Sequence, residues 1–437
     1  MNKVKIGDLL TRIKESIDIE DDKQYKRVTI KTNNKGVYLR NIEFGRNIGT
    51  KKQFIIHAGQ FLLSKIDARN GAFGIVPNEL DGAIITGNFW TYEVNHELLN
   101  IEWFNLFVSS PEFIDICDRA SSGTTNRRYL DENKFLNFVI SLPSIDEQCA
   151  FMEYFKNIKQ KYDTIMIELR YQQDLFTKLR QSILQEAVQG KLVPQDPDDE
   201  PASVLLERIK EEKERLIKEK KIKKQKSLPP ITENEIPYEL PKGWEWVRLG
   251  EIGAIVGGGT PKTNIKDYWE NGDIPWLTPA DLNNLRSKYI AKGRRNITKL
   301  GLEKSSARLM PKGTVLFSSR APIGYTAIAS NPLSTNQGFK SCIPYVMQMN
   351  EYIYYYLTYS ANIINDQASG TTFKEISGSA VAKILFPLPP LNEQKRIVEK
   401  VDQLMTLCDE LEKNIEQSKK DSELLMQSVL QEAFKEA

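Results

Sequence analysis

The chain has 437 residues, 40% hydrophobic and 27% charged, enough apolar material for sizeable cores and, at roughly 150 residues each, about three domains. Sixty basic against 58 acidic side chains leave a formal charge of +2, so a polyanion can be met only through a local patch. Four scattered cysteines without a CxxC pair, and two histidines in all (His57 and His96), argue against a disulfide framework and a Cys/His zinc site. The opening residues lack a signal-peptide core and no run reaches roughly 18 apolar residues, so the expectation is a reduced, cytoplasmic, multidomain protein.

Residues 1 to about 140 alternate short apolar runs with Gly, Pro and Asn punctuation. Phe54-Ile55-Ile56 and Phe61-Leu62-Leu63 read as strands and Ile101 to Val108 as a short helix, an α+β globule. Leu142-Pro143-Ser144-Ile145-Asp146-Glu147-Gln148 then opens a long helix. Its seam positions, Phe155, Ile158, Tyr162, Ile165, Leu169, Gln172, Phe176, Leu179 and Ile183, alternate steps of three and four, a period of about 3.5 residues. Gly190 suits the helix C′ position and Pro194 prevents continuation. Residues 191–242 read as a charged, proline-rich, solvated linker, partly helical where Ser203 to Lys226 carries ten basic and five acidic residues. A second α+β globule follows, with strands at Thr314 to Phe317 and Thr326 to Ile328 and a helix at Tyr352 to Tyr359. It ends in a second long helix with a seam at Ile397, Val401, Leu404, Cys408, Leu411, Ile415, Ser418, Ser422, Leu425 and Val429.

This order is a duplication. Leu142 to Gln148 returns as Leu388-Pro389-Pro390-Leu391-Asn392-Glu393-Gln394, and Gln181-Ser182-Ile183-Leu184-Gln185-Glu186-Ala187 returns as Gln427-Ser428-Val429-Leu430-Gln431-Glu432-Ala433, both at an offset of 246. Ser122-Gly123-Thr124-Thr125 recurs as Ser369-Gly370-Thr371-Thr372, and the openings Val4 to Leu9 and Val247 to Ile252 match more loosely. Two copies of one stripe favour pairing with each other. The expected architecture is therefore two globules separated by two long antiparallel coiled-coil helices, in a pseudo-two-fold repeat. Polar residues at Gln172, Ser418 and Ser422 interrupt the seams.

No catalytic constellation emerges. Gly257-Gly258-Gly259-Thr260-Pro261-Lys262-Thr263 imitates a phosphate loop, but Pro261 sits where that motif needs glycine. Pro197-Asp198 with Glu211-Glu212-Lys213 lies in a charged helix without strands to converge its carboxylates. Basic residues, by contrast, are organised. Nine (Lys23, Lys26, Arg27, Lys31, Lys35, Arg40, Arg46, Lys51, Lys52) face one acid, Glu43, and six (Arg286, Lys288, Lys292, Arg294, Arg295, Lys299) lie in an acid-free stretch at a corresponding place in the second globule. Such paired stretches suit a phosphate backbone. Candidates for base reading cluster at turns: Ser64-Lys65 with Arg69 against Ser318-Ser319-Arg320; Thr86-Gly87-Asn88-Phe89 against Thr335-Asn336-Gln337-Gly338-Phe339; and Gly123-Thr124-Thr125-Asn126-Arg127-Arg128 against Gly370-Thr371-Thr372-Phe373-Lys374. Lys262 joins them from the glycine-rich stretch.

The two Leu-Pro-x-(Ile/Leu)-(Asp/Asn)-Glu-Gln entries, the two Gln-Ser-(Ile/Val)-Leu-Gln-Glu-Ala exits, Gly190 to Gln195 and Pro241-Lys242-Gly243-Trp244-Glu245-Trp246 together resemble the specificity subunit of a type I restriction–modification system. The resemblance covers essentially the whole chain. It implies target recognition domains at 1–145 and 243–391, helical regions at 146–190 and 392–437 and a linker at 191–242. It also implies a non-catalytic, DNA-reading chain that docks two methyltransferase subunits and, in the full complex, two motor–nuclease subunits. S-adenosylmethionine, Mg²⁺ and ATP belong to those partners, with no cofactor or metal on this chain. The helix-pairing residues are then Ile158, Tyr162, Ile165, Leu169, Leu404, Cys408, Leu411 and Ile415. The first globule lacks an equivalent of Gly257 to Pro261 and of Ile274-Pro275-Trp276, which weakens the carry-over of recognition roles there. A related bipartite system with a fused nuclease–methylase partner, or a stand-alone DNA-modifying enzyme, are the competing readings.

Overall fold

The computed structural model describes residues 2–124, 127–224, 227–285, 287–320, 322–367 and 374–434, leaving aside the side chains at 124, 127 and 433. It divides into two compact units, Met1–Tyr171 with Ile415–Ala437, and Gln172–Asn414. No helix among the described residues is long and apolar enough to cross a membrane.

In the first unit, the ends of the repeat close the globule: Asn2–Lys5 runs antiparallel to Val139–Leu142, with Val4 opposite Ile140. Between them lies a four-stranded sheet in the order Leu10–Ile13, Phe89–Val94, Phe61–Ser64, Phe73–Ile75. A five-stranded sheet follows the order Ser16–Asp18, Lys52–Ile56, Ala83–Ile85, Gln24–Lys31, Gly36–Phe44. Phe61 to Ser64 is buried at every position, as a short unbroken apolar run requires of a core strand. Around it Phe104 and Phe113 stand edge to face with Phe61, at 5.2 and 6.0 Å between centroids. Helix Ile101–Val108 starts where the Asn100 side chain accepts from the backbone of Glu102 and Trp103. Helix Pro111–Arg119 starts from Ser110, with Pro111 in its first turn.

The second unit closes the same way, with Glu245–Arg248 antiparallel to Leu385–Leu388. Its five-stranded sheet runs Gly253–Gly257, Lys340–Pro344, Val315–Ser319, Ile323–Ala329, Tyr289–Ile290. A three-stranded sheet runs Arg295–Ile297, Ile274–Leu277, Ser334–Thr335. The expected helix at 352–359 lies in the N-terminal half of a longer one, Asn350–Gln367.

Residues 191–242 are not a solvated linker. Helix Ala202–Lys218 sends Ala202, Leu205 and Ile209 into the core of the second unit. Arg248, only 4% exposed, donates to the carbonyls of Pro229, Pro230 and Lys383 and pairs with Glu235 at 2.9 Å. Arg396 holds Asp199 at 2.6 Å and the Tyr238 hydroxyl donates to Val188 O at 3.0 Å. High charge concealed one apolar helix face and several arginine anchors. The segment is a strap.

The long helices are Ile145–Val188 and Leu391–Phe434, 44 residues each and roughly 66 Å long at 1.5 Å per residue. Their buried stripe corrects the expected seam. Leu169, Cys408 and Ile415 are buried and Ile158, Tyr162 and Leu404 half-buried, but Ile165 and Leu411 are 46% and 47% exposed. Met166 takes the inward place beside Ile165, while Glu412 beside Leu411 is half-buried. Along the second helix the row Val401, Cys408, Ile415, Ser422 and Val429 stays buried or half-buried, and it is the other seam row, Leu411, Ser418 and Leu425, that turns to solvent. In the second unit the two helical segments run antiparallel: Arg180 pairs with Asp409 and, at 3.1 Å, with Glu412, while Ala187 and Val188 share a core with Ile397 and Val398. In the first unit Phe434 packs 5.7 Å from Trp103 and 6.4 Å from Phe151.

The repeated Glu-Gln explains how helix and globule are joined. Gln148 is fully buried; its Nε2 donates to Leu98 O and Pro143 O, each at 2.9 Å, and its Oε1 accepts from Asn100 N at 2.8 Å. Gln394 makes one such bond, to Pro389 O at 3.0 Å, and its buried Oε1 has no partner among the described residues. The glutamates differ more. Glu147 caps its helix by accepting from Ser144 N at 2.7 Å, which holds its carboxyl below the usual range. Glu393 is buried against Trp244 Nε1 (2.9 Å) and Gln195 Nε2 (2.6 Å), and burial raises its pKa despite those donors.

Two predictions follow from these contacts. Gln148→Ala removes three hydrogen bonds to partly buried backbone groups and should lower stability by about 3 kcal/mol, against about 1 kcal/mol for Gln394→Ala, which removes one. Equal shifts in urea unfolding would contradict that asymmetry. His57 lies between Glu15 (3.0 Å from Nε2) and Asp81 (3.2 Å from Nδ1), and these carboxylates, Glu15 foremost, raise its pKa. Its contribution is complete below about pH 6.5 and fades as pH rises through the raised folded value. Melting curves from pH 6 to 8 should fall with pH for the wild type, and that slope should flatten in His57→Gln.

Candidate nucleic-acid interface

In the second unit the glycine-rich stretch is pinned from behind. Trp276 Nε1 donates to Gly259 O at 2.8 Å and Trp269 Nε1 to Lys262 O at 3.1 Å, the indoles meeting edge to face 5.0 Å apart. In front, Gly259 N donates to Thr335 O at 2.8 Å, and the Thr260 hydroxyl donates to Gln337 Oε1. The turn 336–338 is tied in its own right to Ser319, whose N–H donates to Gly338 O at 2.7 Å. Ser319 O accepts from Ile376 N at 3.0 Å, and Arg320 faces Glu375 at 3.9 Å. Three stretches singled out in the sequence therefore converge: 259–262, 319–320 with 374–376, and 336–338. Lys262, Gln337 and Lys374 are exposed at this convergence. Beside it Arg295 lies flat on Trp269, its guanidinium carbon 3.7 Å from the ring centre, and has no carboxylate partner among the described residues. A stacked, uncompensated guanidinium beside pinned amide and hydroxyl groups can hold a phosphate and read a polar edge.

Several expected residues do not belong there. Ser319 is fully buried in strand Val315–Ser319, because that strand is covered on both faces. Arg128 is committed internally, donating to Asp118 Oδ1 and O at 2.8 Å each and to Ser121 O at 3.0 Å. Asn336 has its carbonyl oxygen occupied by Gly338 N at 2.9 Å. Arg294, though exposed, donates to Asp281 at 3.2 Å and to Ala280 O at 3.1 Å. Lys288 is bound by Asp402 at 2.7 Å and Glu351 at 3.2 Å, which anchors the second long helix to the globule. Arg286, Thr125, Thr371 and Thr372 lie outside the described residues, as do the side chains of Thr124 and Arg127.

In the first unit, Lys65 N donates to Asn88 O at 3.1 Å and Leu130 N to Lys65 O at 2.8 Å, so the backbone brings the three corresponding loops together. Asn88 is exposed, Lys65 and Arg69 half-buried. Much of the basic stretch is engaged: Lys23 with Glu20 (2.7 Å), Lys51 with Asp21, Lys26 with Glu79 O (2.9 Å), and Lys31 and Arg46 over the rings of Tyr38 and Phe44. Lys35, Arg40 and Lys52 are exposed. Sequence reasoning missed Thr260 and Trp269 as parts of a site. The run of glycines ahead of Thr260 was the available signal.

A family model described as type I restriction modification DNA specificity domain matches residues 1–170 and 241–418. Among curated relatives, the MjaIX specificity subunit of Methanocaldococcus jannaschii is 43% identical over 199 residues, 45% of this chain and 44% of that one. The EcoAI specificity subunit of Escherichia coli is 30% identical over 398 residues, 77% of this chain and 65% of that one. The chain thus spans about half to two thirds of the length of these relatives. A solved HsdS subunit from Thermoanaerobacter tengcongensis shares the fold, with a TM-score of 0.60 at 20% identity, over 99% of this chain and 96% of that one. Matched by the family model in both halves, the chain belongs to the type I restriction–modification DNA specificity family.

Proposed function

We propose that the chain is a non-catalytic recognition subunit that reads an asymmetric, bipartite duplex DNA target, one half-site per globule. The observation that carries this reading is the match of a DNA specificity model to both copies of a globule that ends on its own long helix. Exposed basic groups at the loops, chiefly Arg295 and Lys262, suit phosphates, which position a protein on DNA, while the pinned polar groups suit base edges. The proposed partners are two methyltransferase subunits and, through the full complex, motor–nuclease subunits, in the cytoplasm. S-adenosylmethionine, Mg²⁺ and ATP are assigned to those partners. Large exposed apolar side chains on the long helices, among them Ile167, Tyr171, Leu407 and Leu424, support docking. We take the helices to pair as an antiparallel coiled coil that sets the distance between half-sites, about one duplex turn or roughly 10 base pairs for readers on one face.

Methylome sequencing of cells that express the chain with its methyltransferase partner tests this reading. Exchanging residues 1–141 for another family member's first globule should change one half-site only; a change in both would contradict independent reading. A four-residue insertion after Leu169 lengthens the first helix by about 6 Å and displaces Arg180 from Asp409 and Glu412. It should abolish assembly or alter the spacer, and normal assembly on an unchanged spacer would contradict the ruler. Arg295→Ala should weaken binding to all sequences alike and reduce the salt slope by about one unit, seen by titration at several salt concentrations. Arg128→Ala should lower the melting temperature and leave that slope unchanged.

A further inference from the structure

Gln337 stands on a backbone that is fixed before anything binds. Asn336 Oδ1 accepts from Gly338 N at 2.9 Å, Asn336 N donates to Leu277 O at 2.9 Å, and Gly338 O accepts from Ser319 N at 2.7 Å. The side chain is exposed, yet its amide is pinned, because the Thr260 hydroxyl donates to Gln337 Oε1. Thr260 reaches that far only because glycines precede it. A Cβ at Gly258 would stand 2.0 Å from Asn336 O, and one at Gly259 would stand 2.3 Å from Ala307 N. The indoles of Trp276 and Trp269 hold the same loop through Gly259 O and Lys262 O. An exposed glutamine ordinarily samples many rotamers and loses that freedom on contact. This one is restrained in advance.

A pinned amide presents a donor beside an acceptor. Gln337 Nε2 has no partner among the described residues, and Oε1 keeps a second lone pair after accepting from Thr260. In the major groove, adenine alone offers an acceptor at N7 next to a donor at N6, the complement of such an amide. Arg295, stacked 3.7 Å from Trp269 on the neighbouring sheet, supplies a cation for the adjoining phosphate. We infer that Gln337 reads an adenine in the half-site of the second globule, and that Thr260 is its positioning residue. The inference rests on the DNA-recognition reading above.

The test uses the full chain with its methyltransferase partner and maps the methylated motif for the wild type, Gln337→Ala, Thr260→Val and Thr260→Ser. Gln337→Ala should lose discrimination about ten- to a hundredfold at one A·T pair of one half-site. Thr260→Val should relax the same pair, and Thr260→Ser, which keeps the hydroxyl, should restore it. The other half-site should stay as read by the wild type, showing that each variant folds and assembles. Gln337→Ala with an unchanged motif, a relaxed pair other than A·T, or loss of both half-sites overturns the adenine assignment. Thr260→Ser behaving like Thr260→Val overturns the positioning role. A wild-type chain that leaves no bipartite motif defeats the DNA-recognition reading itself, whereas a wild-type motif with unmoved variants defeats this inference alone.

Discussion

A glutamine buried at the foot of a helix is the contact on which the first unit depends. Gln148 satisfies two carbonyls and one N–H from the segment 98–100 and the turn before its own helix. A primary amide can do this because it carries donors and an acceptor on one rigid plane. In a buried place each of those groups must be met, so the helix has one entry angle. In the second unit Gln394 meets one carbonyl, and the joint is shared with Glu393 under Trp244, Arg396 on Asp199 and the Lys288–Asp402 pair. Of these extra contacts, that of Arg396 with Asp199 reaches into the strap 191–242.

This difference explains what could be read from the chain beforehand. The strands at Phe54–Ile56, Phe61–Leu63 and Thr314–Phe317 and the two long helices are set by local apolar pattern, and they are found where that pattern puts them. Ile165 and Leu411 were misplaced because only one of the two seam rows faces inward: Phe155, Tyr162, Leu169, Phe176 and Ile183 are buried or half-buried, while Ile165 and Leu179 are exposed. The strap was misread because charge dominates its composition. What fixes it, the reach of Arg248 to Pro229, Pro230 and Glu235, is a tertiary arrangement without a periodic signature.

The site was legible as a set of stretches rather than as geometry. Pairing one copy against the other singled out 318–320, 335–339 and 370–374, and two of these do converge with the glycine-rich loop among the described residues. Which side chain faces outward was not legible. Ser318 and Ser319 look like a turn in sequence but lie in a strand covered on both faces. Arg128 looks like a base-reading residue, but Asp118, ten residues earlier, has already claimed it. The three glycines were visible, yet their cause, the approach of Gly258 to Asn336 O, depends on residues almost eighty positions away.

The two copies place a turn at the same point of the sheet order. In the first unit it precedes strand Phe89–Val94, which pairs with Phe61–Ser64; in the second it precedes Lys340–Pro344, which pairs with Val315–Ser319. Asn88 stands on one turn and Gln337 on the other. Asn88 is one methylene shorter, and its globule has no counterpart of the stretch Gly257 to Pro261, so no hydroxyl is brought across to an amide in the way Thr260 is. Backbone hydrogen bonds tie each turn to the strand beside it without using the tip side chain, through Lys65 N to Asn88 O in one case and Ser319 N to Gly338 O in the other. A scaffold that fixes the turn by its backbone leaves the tip residue free to differ, because changing that residue breaks no bond the fold needs. The buried joint at the helix foot has no such freedom, since every atom of its amide plane in the first unit is already engaged. One chain therefore carries two copies of one architecture with different residues at the turn tips, a difference that suits the asymmetric target proposed above.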